Sequence, residues 1–235
     1  MLYKRVLLKV SGEALMGARG FGIDLAIVRK IANAIITIKK AGISIAVVIG
    51  GGNIARGVSL AGSSAVDRVS SDHMGMLATV INALALRAEL INCNATSEVF
   101  SAIAMPQICE IFNQCKVMEA IEADKIVVFA AGTGNPYFTT DTAATLRAVE
   151  IGADVLIKAT QVDGIYDSDP QLNPNAKHLP NISYDEAISR NLGVMDITAI
   201  ALAKENKIPI IVCSLLEAEE FVNILQGEGN FSIVN

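Results

Sequence analysis

The chain of 235 residues has no tryptophan, only two histidines, four cysteines and six prolines. Each scarcity excludes something. With His73 and His178 alone, imidazole-based acid–base chemistry has little to draw on, and neither sits beside a candidate nucleophile in the pattern. Cys93, Cys109, Cys115 and Cys213 form no C-x-x-C pair, so no zinc spacing is present, and scattered thiols suit a reducing cytosol. Each cysteine reads as a small buried apolar residue. No Gly-Lys dipeptide occurs, which removes the Walker A loop. No G-x-G-x-x-G follows a strand pattern, which counts against a Rossmann dinucleotide site, and no G-x-S-x-G elbow is present. Long hydrophobic runs are missing too. A span needs roughly 20 nearly uninterrupted apolar residues, and the best stretch, Met76 to Cys93, is broken by Asn82, Arg87 and Glu89. Near the N-terminus, Lys9 interrupts the only short apolar run and no small-residue cleavage site follows, so neither a signal peptide nor a lipid anchor is expected. The formal charge of −5 gives no global pull on nucleic acid or anionic lipid, so any phosphate binding must be local.

What is there is apolar: 52% of the residues, with a mean hydropathy of +0.46. That surplus supplies a large core or subunit interfaces and excludes disorder for most of the chain. Strand-like and helix-like patterns alternate. Strands are expected at Tyr3 to Val10, Ile43 to Ile49, Glu98 to Met105, Lys125 to Ala130, Asp154 to Lys158 and Ile208 to Cys213. Helices are expected over Asp24 to Lys40, Ser71 to Ile91, Asn113 to Ala123, Thr140 to Ile151, Asp196 to Glu205 and Leu215 to Gln226. Ser183 and Glu186 form an S-x-x-E capping box for a further short helix. Almost wholly apolar strands separated by helices predict an α/β fold with a mainly parallel sheet covered on both faces. No linker divides residues 1–235, so one domain with two lobes is expected. The Asp167 to Asn181 loop, with three of the six prolines, is long enough to be functional or mobile.

Ligands of open α/β sheets bind at the carboxyl ends of the strands. After the first strand comes Lys9-Val10-Ser11-Gly12; after the second, Gly50-Gly51-Gly52-Asn53 and then Arg56. The Lys125 strand leads into Gly132-Thr133-Gly134-Asn135-Pro136 and on to Asp141, and the Asp154 strand ends in Lys158, before Thr160 and Asp163-Gly164. Glycines let backbone N–H groups approach an anion, and a following helix adds its positive end. Taken singly, each feature has a structural reading: a tight turn, a snorkelling Lys9, a surface Arg56, helix caps at Asp72 and Asp141. Taken together they share one rim, and that rim suits phosphates. Phosphoryl transfer rests on positioning and charge neutralisation. Lys9 and Lys158 are placed to stabilise a moving phosphoryl group from opposite sides. A phosphate or carboxylate acceptor is already ionised near neutrality, so the shortage of histidine is expected.

KVSGEAL at 9–15, GGGN at 50–53 with Arg56-Gly57, SDHMGMLAT at 71–79, GTGNPYFTTDTAA at 132–144 and KATQVDGIYDSDP at 158–170 resemble bacterial uridylate (UMP) kinases, of the amino acid kinase superfamily. The likeness runs from about Tyr3 to the C-terminus. It implies a three-layer α/β/α sandwich around a mainly parallel open sheet, an amino acid kinase-like domain, a homohexamer built as a trimer of dimers, and a cytoplasmic location. The implied reaction is ATP + UMP to ADP + UDP, with Mg2+ carried on ATP, in pyrimidine nucleotide synthesis. Carried over by motif, Lys9, Val10, Ser11, Gly12, Gly52 and Arg56 line the ATP phosphates, and Thr160, Gln161, Tyr166 and Asp169 hold the adenosine. Gly51, Asp72 (on the ribose), Thr133, Gly134, Asn135, Pro136, Tyr137, Phe138, Thr139 and Thr140 bind UMP. Lys9, Lys158, Asp141 and Arg56 form the catalytic set, with Asp141 orienting the lysines. The N-terminal part is then mainly the UMP side, and the part from about 155 the ATP side. Gly17, Ala18, Arg19, Gly20, Phe21 and Gly22 match the family's GTP effector segment, and UTP is the usual feedback inhibitor. Ser71 and Gln161 depart from the common family residues. Two alternatives stand beside this reading. One is a related kinase making an acyl phosphate, against which NPYFTTD argues. The other is a non-catalytic nucleotide-binding regulator or storage protein, against which the intact Lys9, Lys158 and Asp141 argue.

Overall fold

The computed structural model describes residues 2–55, 66–160, 162–170, 172–214 and 221–235. Arg56, Gln161 and the 215–220 start of the last expected helix lie outside the described residues. Among the described residues nine strands form one sheet: β1 (Arg5–Val10), β2 (Ser44–Ile49), β3 (Ser97–Ser101), β4 (Glu110–Ile111), β5 (Ile126–Ala130), β6 (Val155–Thr160), β7 (Asn181–Ile182), β8 (Ile210–Ser214) and β9 (Ser232–Val234). Their order is β4-β3-β5-β2-β1-β6-β8-β9-β7. Every pairing is parallel except β8 with β9. The helices are α1 (Leu25–Lys40), α2 (Arg68–Asn92), α3 (Gln114–Glu122), α4 (Thr140–Glu150), α5 (Tyr184–Ser189), α6 (Ile197–Asn206) and α7 (Phe221–Ile224), with a 3-10 segment at Gly12–Arg19.

Alternation along each strand feeds two cores. Val6, Leu8 and Val10 of β1, with Ile45, Val47 and Ile49 of β2, pack under α1 and α2. Leu7, Ala46, Val48, Val127, Phe129 and Leu156 face the other way, against α3, α4 and α6. A strand buried on both faces has no polar side to show, which is why these runs read as continuous hydrophobics. Lys9 and Lys158 follow the phase of Leu7 and Leu156, so both point to the α4 and α6 face.

The helix starts are chemically marked. Asp24, Asp67, Asn113, Thr139, Ser183 and Asp196 each accept a hydrogen bond from a first-turn N–H of α1 through α6 respectively. Ser183 accepts from Glu186 N–H at 3.1 Å, as the capping box predicts, whereas the Glu186 carboxylate pairs with Arg190 at 2.5 Å. By length and composition α2 could cross a membrane, but half of its most apolar window is buried within this fold. Its polar Ser71, Thr79 and Asn82 are buried as well. The expectation that all cysteines are buried fails: Cys213 is buried, Cys93 and Cys109 are half-buried, and Cys115 is exposed in the first turn of α3. Residue type gave no phase there, because Cys115 lies off the buried Val117, Ala120 and Ile121 face.

Candidate active site

The four glycine- or cation-bearing strand ends belong to β5, β2, β1 and β6, which are consecutive neighbours in the sheet. The loops after β1 and β2 touch backbone to backbone. A Cβ on Gly12 would stand 2.6 Å from Gly52 N, and one on Gly51 would stand 2.6 Å from Gly75 O. Only glycine permits either approach. Asn82, fully buried on α2, donates to Gly50 O at 2.7 Å and to Asn53 Oδ1 at 2.7 Å, and accepts from Asn53 Nδ2 at 3.0 Å. Asn53 extends the network to the 17–22 segment: its Nδ2 donates to Gly22 O at 2.8 Å, and its carbonyl accepts from Gly22 N–H at 2.9 Å.

Lys9 and Lys158 are register partners on adjacent strands. They stand side by side and converge on Asp141. Lys9 Nζ lies 2.6 Å from Asp141 Oδ1 and Lys158 Nζ lies 3.0 Å from Oδ2, all three side chains being largely buried. Lys158 Nζ also donates to Val194 O. Burial alone would push the Asp141 carboxyl up, but the two ammonium groups outweigh it and hold it below the usual carboxylate range. For Lys158 burial dominates and lowers its pKa below that of a free lysine, Lys9 adds to the lowering, and Asp141 only partly offsets it.

Two cavities flank this group. The first, about 530 Å³, is lined over the β2 and β5 ends by Gly51, Gly52, Asp72, Thr133, Phe138, Thr139 and Thr140, among others. Asp72 is held ready: Arg68 Nε reaches its oxygens at 2.9 and 2.8 Å, and Tyr137 N–H donates to Oδ2 at 2.8 Å. Ala131 and Tyr137, at φ of 61° and 71°, put two left-handed non-glycine residues into this one loop. Gly134, Asn135, Pro136 and Tyr137 belong to the same turn without lining the cavity. The second cavity, about 500 Å³, lies over the β6 and β8 ends and includes Lys158, Thr160, Tyr166 and Asp169 in its wall. Thr140 lines the first and Lys158 the second, so Asp141 stands at their boundary. Lys9, Val10, Ser11 and Gly12 end β1 between the two pairs of strands.

Several contributors were not singled out by sequence. Thr79 Oγ1 accepts from Ala131 N–H at 2.7 Å and ties α2 to the β5 loop; it sits inside the SDHMGMLAT motif but carries no spacing signal of its own. Asp196 caps α6 and also accepts from Thr142 Oγ1 at 2.9 and 3.0 Å and from Thr139 Oγ1. Glu13 and Met76 line the first cavity, and Arg190 to Val194 the second.

A buried Lys–Asp–Lys group on the carboxyl edge of a parallel sheet, with one cavity bordered by Thr140 and a second by Lys158, defines a phosphotransferase of the α/β class. The profile of the Amino acid kinase family matches residues 4–214. Uridylate kinases from Bartonella bacilliformis and Brucella anthropi are each 56% identical over 233 residues, 99% of this chain and 97% of theirs. Among solved structures, the UMP kinase from Bacillus anthracis superposes with a TM-score of 0.95 at 36% identity, covering 99% of this chain and 96% of the other. That from Ureaplasma parvum gives 0.93 at 38% identity, with full coverage of both. The chain belongs to the amino acid kinase family, and within it to the uridylate kinases.

Proposed function

We propose that this chain transfers the γ-phosphoryl group of ATP to UMP, giving ADP and UDP, as a cytoplasmic step in pyrimidine nucleotide synthesis. The observation that carries the proposal is the Lys9–Asp141–Lys158 group, in which Lys158 lines the second cavity and Asp141 follows Thr140 of the first. UMP occupies the first cavity, with Asp72 on the ribose and the 133–140 loop around uracil and phosphate. ATP occupies the second, with Thr160, Tyr166 and Asp169 about the adenosine. Its phosphates reach across Lys9, Val10, Ser11, Gly12 and Gly52. The acceptor is a phosphate oxygen, mostly ionised above its second pKa of about 6. It attacks the γ-phosphorus in line, the bond to the β–γ bridging oxygen breaks, and ADP leaves with the electron pair. No proton has to be removed, so no general base is required. Lys9 and Lys158 offset the charge on the transferring group, and Asp141 holds both ammonium groups in place beforehand, which is where such sites gain most.

Magnesium enters as part of the substrate, on the ATP phosphates. The 17–22 segment, exposed over 17–21, suits a GTP effector role, because Gly22 is bonded to Asn53 and through it to the 50–53 loop; UTP is the matching inhibitor. Homohexamer assembly is supported by the apolar residues α2 leaves exposed, Met74, Leu77 and Ile81 among them. The test is ADP release from MgATP with UMP, CMP, GMP, AMP, acetylglutamate and carbamate offered separately. Turnover with UMP, yielding UDP, is expected. Turnover with acetylglutamate or carbamate instead would replace this reading with an acyl-phosphate kinase. ATP binding without turnover on any acceptor would replace it with a nucleotide-binding regulator.

A further inference from the structure

The loop that walls the second cavity has an anchor outside the cavity itself. His178 forms an isolated antiparallel bridge with Tyr166. Its ring stands edge-on to the Tyr166 ring, with centroids 5.3 Å apart and planes at 62°. Its Nε2 lies 3.0 Å from Ser232 Oγ. Ser232 is fully buried on β9, and the same Oγ accepts from Ile165 N–H at 2.8 Å. One hydroxyl of the C-terminal strand therefore holds the loop where it leaves the sheet and where it returns. The neck is completed by Leu179 N–H to Ile165 O at 2.8 Å and Asp167 N–H to Lys177 O at 3.0 Å. Gly164 makes the room: a Cβ there would stand 2.2 Å from His178 Nε2 and 2.7 Å from Ser232 Oγ. The hydroxyl of Tyr166 is tied as well, donating to Asp163 Oδ1 at 2.7 Å.

We propose that His178, stapled to Ser232, is a positioning residue for the phosphoryl donor: it fixes Tyr166 and the 167–170 stretch as the wall against which the base of ATP binds. The inference rests on the reading of the second cavity as the ATP site. A flat aromatic base gains most from a ring that is already immobile, because the ordering cost is met before binding. His178 lines neither cavity and serves binding rather than chemistry. Loss of its hydrogen bond and ring contact weakens ATP binding about fivefold, the scale of one net hydrogen bond.

Steady-state kinetics on the full-length enzyme test this, with melting temperatures taken alongside. Expected for His178→Ala is an ATP KM raised about fivefold, kcat within about twofold, and an unchanged UMP KM. His178→Gln, whose amide can still reach Ser232, recovers most of the loss. Ser232→Ala shifts the ATP KM the same way, and the double variant adds little to either single one, as two halves of one contact do. Tyr166→Ala separates the two levels of the argument. If it raises the ATP KM while His178→Ala does not, the staple is irrelevant to the donor and the inference falls alone. If it leaves the ATP KM unchanged, the donor-site reading falls and takes the inference with it. Equal rises in the ATP and UMP KM for His178→Ala, with a lowered melting temperature, would reduce His178 to a structural part and overturn the proposal.

Discussion

Asp141 sets the charge balance of the site, and its two lysines differ in what they cost the fold. The carboxyl is held below its ordinary 3.8, so it contributes stability above that value, lost as pH falls through the depressed one. Lys158 is lowered from 10.5, so its ammonium is the disfavoured form in the folded chain. Between the lowered value and 10.5 the unfolded chain binds more protons, and stability rises with pH. The charge to which the proposed mechanism assigns catalysis disappears in that same window. kcat is therefore expected to fall on an alkaline limb centred below 10.5, read from a pH–rate profile; a rate flat to 10.5 would contradict the assignment. In the proposed function Asp72 acts on binding instead. Held by Arg68 and the Tyr137 amide, it presents a fixed carboxylate to the first cavity. Asp72→Asn is expected to raise the KM for UMP more than that for ATP; equal rises would remove it from the ribose. At this scale Lys9, Asp141 and Lys158 were legible in sequence, because each ends a strand or opens a helix and so has a predictable place. Thr79 and Asp196 were not, since their partners lie 52 and 57 residues away and no local pattern encodes them.

At the scale of elements, the N-terminus of α4 joins the two halves of the site. Thr139 caps it, accepting from Asp141 N–H at 3.0 Å and Thr142 N–H at 3.3 Å, and donates in turn to Asp196 at the start of α6. Thr139→Ala removes the cap and the tie together. Denaturant unfolding is expected to show a loss of about 1 to 2 kcal/mol, with Thr139→Ser recovering most of it; a full-strength serine loss would point to the methyl group rather than the hydroxyl. The longer strands and helices were readable because five to twenty-five residues give a period time to show. β4, β7 and β9, of two or three residues, were not. They exist only because neighbouring backbone offers them partners, and β9 pairs antiparallel in an otherwise parallel sheet. The 3-10 segment after β1 was also missed: Gly12 turns the chain there to meet the 50–52 loop.

At the scale of the molecule, two features remain outward-looking. One is the face of α2 bearing Met74, Leu77 and Ile81, each about half exposed and spaced as one side of a helix. On the proposed homohexamer reading, Leu77→Lys with Ile81→Lys is expected to shift the mass seen by light scattering from hexamer to smaller species without unfolding the chain; an unchanged hexamer mass would place the subunit contacts elsewhere, and a monomeric parent would contradict the reading. The other is the rim itself, where β5, β2, β1 and β6 stand in order and bring four loops, distant in sequence, to one edge. Sequence showed that such loops existed at four strand ends; only the strand order shows them adjacent, with the lysines paired in register. The most direct test of the account is conversion of UMP to UDP followed by phosphorus NMR in the parent and in Lys9→Ala, with binding of both nucleotides measured by calorimetry. The parent is expected to convert UMP, and Lys9→Ala to bind ATP and UMP yet turn over at least about a hundredfold more slowly. Turnover by Lys9→Ala within about threefold of the parent would contradict the claim that these lysines stabilise the transferring phosphoryl group.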